Sequence, residues 1–439
     1  MFTGELFRPG EAGFDEAVLS RVFNQRRPSR RPSAVLRAAD AADVAAGVRL
    51  AAANGWRVAV RSGGHSWPAW SVRDEALLID LAAFTGMNYD ASTGLATVGP
   101  AVRGGTDLDP FLARHGRFFA GGHCPTVGLG GFLLQGGMGW NCRGWGWAAE
   151  SVEAIDMVTA DGELVRASET ENADLFWAAR GSGPGFFGVV TAFHLRTRER
   201  YRSLTQTTYV YPASVARDVL TWIHAARHEV PDCVELVMVG LTPPGLDQPA
   251  LVVDGVSFDG GPASLAVLDT CPVAPRALAA KIAQPAAIED LRAEQIRANP
   301  EGHRYVVDNA YLAGEPAALI PAMEPAFTDL PTAKSFSIWF DLAHLPGRDR
   351  PDMAVSLQTD IYFATYVVCE SPAQDAACRR WVSETMRRLE PFSPGCYLGD
   401  SDFTVRPAPF MSDPAWRRFT RIRAARDPSS LFAGYLGDA

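Results

Sequence analysis

Apolar positions recur along the chain in two rhythms. Residues 35–54 read as one Ala-rich helix: Val44, Val48 and Leu50 mark its buried side, and Asn54-Gly55 ends it. Arg57–Arg61 then alternates, with Val58 and Val60 on one face, as a short strand does. The loop Ser62-Gly63-Gly64-His65-Ser66-Trp67 follows, and 77–81 is again strand-like. Residues 87–99 predict a hairpin around Asp90–Gly94, and 106–115 a short helix closed by Gly116. A second hairpin joins 152–158 to 163–167 through Ala160-Asp161-Gly162. Residues 172–180 predict a helix capped by Asn172, and Val189–Leu195 a strand.

The rhythm changes near residue 200. Strands predicted at 206–211, 234–240, 250–257, 305–311, 335–341 and 354–367 mix with Ala- and Arg-rich helices at 213–228, 262–270 and 374–389. This is the pattern of an α+β chain in which one sheet is covered by helices. A helix at 414–425, Asp427-Pro428 and the apolar pair Leu431-Phe432 close it. There is no internal repeat and no low-complexity linker. A chain of 439 residues exceeds one ordinary core, so two lobes are expected.

Composition narrows the picture a little. The chain is 47% hydrophobic and 21% charged, with 41 basic against 50 acidic residues. A net charge of −9 argues against a nucleic-acid role. No apolar run approaches the ~18 residues of a membrane span. The first residues show no basic region followed by an apolar stretch, so no secretory signal is expected. The basic run Arg26-Arg27-Pro28-Ser29-Arg30-Arg31 lacks a following hydrophobic segment and reads as a solvated surface patch. The seven cysteines (124, 142, 233, 271, 369, 378 and 396) are odd in number and scattered, with no C-x-x-C pair. Neither a disulfide framework nor a metal site is expected, and the cytoplasm is the default location. A monomer and a homodimer are both open.

Glycine carries the strongest local signal. Ten glycines fall among residues 121–146, far above the ~7% background. With 62–66 and 181–188 they make three glycine loops in the first 190 residues. Consecutive glycines let backbone approach a ligand, and free N–H groups can cradle phosphate oxygens. None of the loops has strand–GxGxxG–helix order with an acidic residue at the right offset, and none contains G-K-[ST]. A Rossmann site is therefore unsupported and a P-loop excluded. Taken singly, such loops are often just turns. A histidine after two glycines is ordinarily a polar loop residue, and a lone cysteine a small buried hydrophobe.

Three segments in order carry a resemblance. Arg61-Ser62-Gly63-Gly64-His65-Ser66 resembles the pyrophosphate loop of berberine-bridge-enzyme-like members of the vanillyl-alcohol-oxidase (PCMH-type) flavoprotein superfamily. Gly121-Gly122-His123-Cys124-Pro125-Thr126-Val127-Gly128-Leu129-Gly130-Gly131 resembles the segment of their doubly linked members. Residues 136–139, 150–167 and 174–190 follow in the family's order, and a weaker match resumes at 396–432. The resemblance implies FAD bonded from a ring nitrogen of His65 to the flavin 8α-methyl carbon and from Cys124 to flavin C6. His123 and Cys142 are the competing nucleophiles. It also implies flavin contacts at Arg61, Ser62, Gly63, Gly64, Ser66, Gly122, Thr126, Val127, Gly128, Gly131, Gly136, Gly137, Gly188, Val190 and Tyr397. Valine three residues after the cysteine, here Val127, goes with oxygen access in that family and favours an oxidase.

The implied division is a FAD lobe at 1–200, a substrate lobe at 201–394 with an antiparallel sheet, and a C-terminal segment at 395–439 returning to the FAD lobe. Cys396-Tyr397-Leu398-Gly399-Asp400 resembles the family's Y-x-N element, with Gly399 in the place of asparagine. That makes Tyr397 the expected base, and removal of a hydroxyl proton is what such a base does. The run Gln358–Tyr362 alternates, so Gln358, Asp360, Tyr362 and Tyr366 share a face: if that face covers the flavin, Asp360 or Tyr362 activates Tyr397 or binds substrate, and the alternative is a polar face bathed in water. Tyr305, Asn309 and Tyr311 pose the same question on another strand. Trp67, Trp70, Trp140, Trp145 and Trp147 are candidates to stack on a sugar or an aromatic metabolite, or to be core. The reading is a two-electron oxidase of an alcohol or amine carbon, using O2 and releasing H2O2. A same-fold dehydrogenase, an oxidative cyclase and a non-catalytic flavin-binding protein are the alternatives.

Overall fold

The N-terminal apolar runs pair into a small, mostly parallel sheet. In the computed structural model, which describes residues 2–436, β1 (Glu5–Phe7), β2 (Ala34–Arg37), β3 (Arg57–Arg61) and β4 (Ala76–Asp80) lie in the order β1-β2-β4-β3. β4 pairs in parallel with both neighbours, and all five of its residues are buried, as a strand covered on both faces requires. Helices α1 (Phe14–Leu19) and α2 (Ala41–Asn54) pack beside it. The helix expected over 35–54 is therefore divided. Val35, Leu36 and Arg37 belong to β2, and α2 starts after Asp40, whose carboxylate accepts the Asp43 N–H at 2.9 Å.

A second sheet takes the two predicted hairpins. β5 (Met87–Asp90), β6 (Leu95–Val98), β8 (Val152–Val158), β9 (Leu164–Ser168) and β10 (Val189–Arg196) run β5-β6-β10-β8-β9. Between and after them lie α3 (Asp109–Ala113), β7 (Arg117–Phe118), α4 (Leu129–Leu134), α5 (Cys142–Trp145), α6 (Ala173–Ala179) and β11 (Arg198–Glu199). Asn172 does not cap α6. It sits at φ 45° with no side-chain capping bond, and its amide donates to the Arg166 carbonyl at 2.8 Å.

The third sheet has seven strands, every pair antiparallel: β12 (Leu204–Pro212), β13 (Val234–Leu241), β14 (Ala250–Phe258), β15 (Ala279–Ala286), β16 (Arg304–Leu312), β17 (Phe336–Asp341) and β18 (Ile361–Cys369). Their order is β15-β12-β14-β13-β17-β18-β16. One face, with Leu236, Met238, Val253, Trp339 and Phe363, packs in a single core with residues of α7 (Ala216–Ala226), α9 (Pro316–Met323), α10 (Pro325–Thr328) and α11 (Asp375–Leu389). The segment expected as a helix over 262–270 is a 3₁₀ helix. Helices α8 (Ile288–Ala298) and α12 (Asp413–Arg426) complete the set.

The strand expected over 354–367 begins only at Ile361. The N–H groups of Ala354 and Val355 go instead to the carbonyls of Trp177 and Arg180, across the chain in the α6 region. Gln358 and Asp360 thus lie outside the alternation that places Tyr362 and Tyr366 on one face. The run at 26–31 is also less solvated than its charge implies: Arg26 donates to the Tyr305 carbonyl at 2.9 Å, and Arg30 to those of Pro68 and Val72. After α11 the chain returns, and Cys396, Leu398, Phe403, Phe419 and Phe432 join the core of the first two sheets.

A buried ion pair fastens the seven-stranded sheet to the glycine-rich segment. Arg143 of α5 and Asp341 of β17 meet at 2.8 Å with both side chains fully buried. Arg143 also donates to the carbonyls of Arg227, Val230 and Pro231. Removing one partner leaves an uncompensated charge, which typically costs about 3–5 kcal/mol. Arg143→Met is expected to lower unfolding stability by that order in a denaturant titration, and an unchanged midpoint would show that the pair is not holding the lobes.

Candidate active cavity

Glycine decides how close two loops can come. A Cβ on Gly63 would lie 2.7 Å from the Gly128 nitrogen, and one on Gly128 only 2.8 Å from the Gly63 Cα. The two backbones therefore cross in direct contact. Gly64 is forced as well: its φ is +83°, and an added Cβ would fall 1.7 Å from the Arg21 carbonyl oxygen. Gly131 differs, because a Cβ there would meet nothing within 4 Å.

The crossing brings His65 and Cys124 to one wall of a cavity of about 1060 Å³. Thr126 links them, its hydroxyl 3.1 Å from His65 Nε2 and 3.6 Å from Cys124 Sγ. His65 stacks on Phe23 with centroids 4.5 Å apart. Desolvation pushes the His65 imidazole down to about 4, so it is neutral at physiological pH and keeps a nitrogen lone pair. Desolvation raises the Cys124 thiol, opposed by its Thr126 hydrogen bond.

The competing nucleophiles lie differently. Cys142 is fully buried in the apolar cluster of Trp147, Tyr311 and Tyr397 and does not line the cavity. His123 does line it, but its Nε2 is engaged by Glu235 at 3.0 Å and its ring lies 4.4 Å from that of Trp140.

Ser62, Gly63, Gly64, Ser66, Gly122, Val127, Gly128, Gly131, Gly188, Val190 and Tyr397 all line the same cavity. Arg61 lines it too, yet its guanidinium is engaged by Asp80 at 2.7 Å and by the Ala17 and Val18 carbonyls. Gly136 and Gly137 are not on the wall. They make a positive-φ turn whose carbonyls accept from Ala149 and Ala148, and the adjacent Met138 N–H donates to the Tyr397 hydroxyl at 3.2 Å.

Tyr397 is held from the seven-stranded sheet. Asn309 accepts its N–H at 2.7 Å and donates to its carbonyl at 2.9 Å. Its ring stacks on Trp147 at 5.5 Å and meets Tyr362 edge-on at 6.1 Å. Gly399 is required by this placement, since a Cβ there would lie 2.4 Å from Tyr397 Cε1. Burial pushes the Tyr397 phenol well up, and among the described residues no carboxylate is hydrogen-bonded to it.

The cavity carboxylate that meets the tyrosines is Asp400, which the sequence motif contains but alternation did not single out. Tyr362 donates to its Oδ2 at 2.6 Å, Tyr366 to the same oxygen at 3.0 Å, and Trp67 Nε1 to Oδ1 at 3.0 Å. Burial and the Asp400 charge together push Tyr362 far above its ordinary range. Asp360 takes no part: it does not line the cavity, its side chain is 40% exposed, and it faces Arg227 at 3.7 Å. Among the tryptophans, Trp67, Trp70 and Trp140 line the cavity, Trp147 supports Tyr397, and Trp145 lies under Arg198 away from it.

A glycine-lined cleft carrying a neutral histidine and a cysteine on one wall fits a flavin dinucleotide. Comparison with known proteins defines the class. Residues 32–168 match the FAD-binding domain family. The chain is 34% identical over 423 residues to the FAD-linked oxidoreductase ptmO of Penicillium ochrochloron, covering 94% of this chain and 92% of that one. It is 34% identical over 429 residues to nodO of Hypoxylon pulicicidum, covering 97% and 95%. The chain belongs to the FAD-linked oxidoreductases. The fold is shared with 6-hydroxy-D-nicotine oxidase of Arthrobacter nicotinovorans (TM-score 0.84, 22% identity, 100% and 98% of the chains). It is shared too with a glucooligosaccharide oxidase of Acremonium strictum, described as holding a 6-S-cysteinyl, 8α-N1-histidyl FAD (TM-score 0.82, 20% identity, 99% and 96%). Among the described residues no helix is long and apolar enough to cross a membrane.

Because Gly64 has no room for a side chain and sits at positive φ, Gly64→Ala is expected to push the 62–66 loop off Arg21 at a cost of at least about 1–2 kcal/mol. Flavin content after purification should fall well below one per chain, and full occupancy would contradict the steric account.

Proposed function

We propose that the protein is an FAD-dependent oxidase that carries its flavin on both His65 and Cys124 and oxidises an alcohol or amine carbon of a small molecule, with O2 as acceptor and H2O2 as product. The observation that carries the reading is the cavity wall shared by His65 and Cys124, bridged by the Thr126 hydroxyl. Bound FAD supplies the acceptor for a hydride and returns the electrons to oxygen. The relatives named as a 6-hydroxynicotine oxidase and a xylooligosaccharide oxidase, and the doubly linked glucooligosaccharide oxidase, support the class of reaction.

The residues divide the remaining work. Neutral His65 offers a nitrogen lone pair, and Thr126 fixes its ring against Phe23. Val127 lines the cavity three residues after Cys124 and adds an apolar side chain there. Proton removal falls to Tyr362 and Asp400 rather than to Tyr397. The substrate proton passes to the Tyr362 oxygen as Tyr362 hands its own to Asp400 Oδ2, 2.6 Å away. Tyr397, already accepting from Met138, packs the ring wall and orients Tyr362.

Asp400→Asn and Tyr362→Phe are each expected to lower kcat/KM by about 10²–10⁴-fold with flavin retained. Peroxide release per turnover and visible absorbance check this. Full turnover in Asp400→Asn would overturn the proton assignment, and reduction of a dye without peroxide release would overturn the oxidase reading.

A further inference from the structure

The roof of the cavity is one face of the seven-stranded sheet, and its register lays out a polarity gradient. Across one row the cavity-facing residues are Lys281, Thr208, Asp254, Val237, Phe340 and Tyr362, on β15, β12, β14, β13, β17 and β18. The Tyr362 end is where Asp400 sits. On the other side of the row the carboxylate of Asp254 lies inside Thr208 and Lys281, and Val237 and Phe340 form an apolar valley between Asp254 and Tyr362. Three strand spacings of about 4.8 Å separate Asp254 from Tyr362, roughly 14 Å.

Among the described residues the partners of Asp254 are neutral: it accepts from Gln206 Nε2 at 2.9 Å and from Thr208 Oγ1 at 2.6 Å, and it forms no ion pair with a Lys, Arg or His. Desolvation pushes its carboxyl up to about 6, with Glu294 and Glu235 adding to the rise. Glu235, 5% exposed, lines the same cavity on β13 two residues before Val237, with His123 at 3.0 Å from its Oε1 and the Asn141 N–H donating to its Oε2 at 2.5 Å. A desolvated carboxylate without a counterion is unfavourable until a cation meets it. The nearby Trp140, 3% exposed, lines the same cavity, and among the described residues its Nε1–H has no acceptor.

We propose that the cavity selects elongated substrates with an apolar skeleton, a cationic ammonium group seated on Asp254, and the oxidisable carbon at the other end beside Tyr362 and Asp400. The anchor stands on Asp254 alone, whereas the position of the reacting carbon rests on the function proposed above. The ammonium is not the oxidised group. It is a remote handle, and its binding free energy sets which carbon of a long molecule reaches the reactive end. Lys281, in the same row beyond Thr208, limits how far the cation can move toward the sheet edge.

Calorimetry on the purified holoenzyme tests this with two probes. Aminodecanol has an ammonium and a carbinol at opposite ends of a ten-carbon chain, and decanediol is its uncharged counterpart. The amine is expected to bind about tenfold or more tighter than the diol. In Asp254→Asn the two affinities should converge to within about twofold, with diol affinity and flavin content unchanged. Lys281→Ala, which removes the nearby cation, should widen the preference, and it serves if Asp254→Asn does not fold. Equal affinities in the wild type, no binding of either probe, or a preference that survives Asp254→Asn would overturn the proposal. Flavin content of the same samples, read by visible absorbance, reports separately on the cofactor reading.

Discussion

The close crossing of two glycine loops is the constraint from which the site follows. Gly63 and Gly128 touch backbone to backbone, and no other residue fits at either place. The consequence is geometric: residues two positions after Gly63 and four before Gly128 reach the same wall, and these are His65 and Cys124. Thr126 then spans the short distance between them. Because the approach is fixed by atoms that cannot move apart without breaking the loop, the wall is set before any ligand arrives. Such preorganisation is what a tethered cofactor requires of its site.

The second half of the site is assembled from far along the chain. Asp400 gathers a donor from the histidine loop, Trp67, and two from β18, Tyr362 and Tyr366. It therefore ties the C-terminal segment to both walls of the cavity at once. Asn309 does the same for Tyr397 through two hydrogen bonds to its peptide group. The roof and floor of the cavity thus depend on buried polar contacts as well as on apolar packing. This is why the chain returns after residue 395 instead of ending with the sheet.

Local pattern carried much of this. The glycine loops, both hairpins, most of the later strands and the closing helix follow from periodicity and turn residues, and the ordered motifs at 61–66 and 121–131 identified the family. Where the reading failed, tertiary contacts had overridden local rhythm. Val35-Leu36-Arg37 looks helical beside an Ala-rich run, but pairing with β4 makes it a strand. Residues 354–360 alternate like the strand they precede, but Ala354 and Val355 bond across to Trp177 and Arg180. That one difference moves the acidic partner from Asp360 to Asp400. Nothing in spacing alone reveals that Tyr362, Tyr366 and Trp67, separated by some 300 residues, converge on one carboxylate. The Gly399 departure from the family motif was visible, and its reason, the Tyr397 ring folded over it, was not.

If one flavin joins the two distant segments, proteolysis of the acid-denatured protein followed by mass spectrometry is expected to give a single cross-linked species containing the peptide of His65, the peptide of Cys124 and one FAD. Two unlinked peptides with free FAD in the supernatant, or flavin on only one of them, would contradict that linkage.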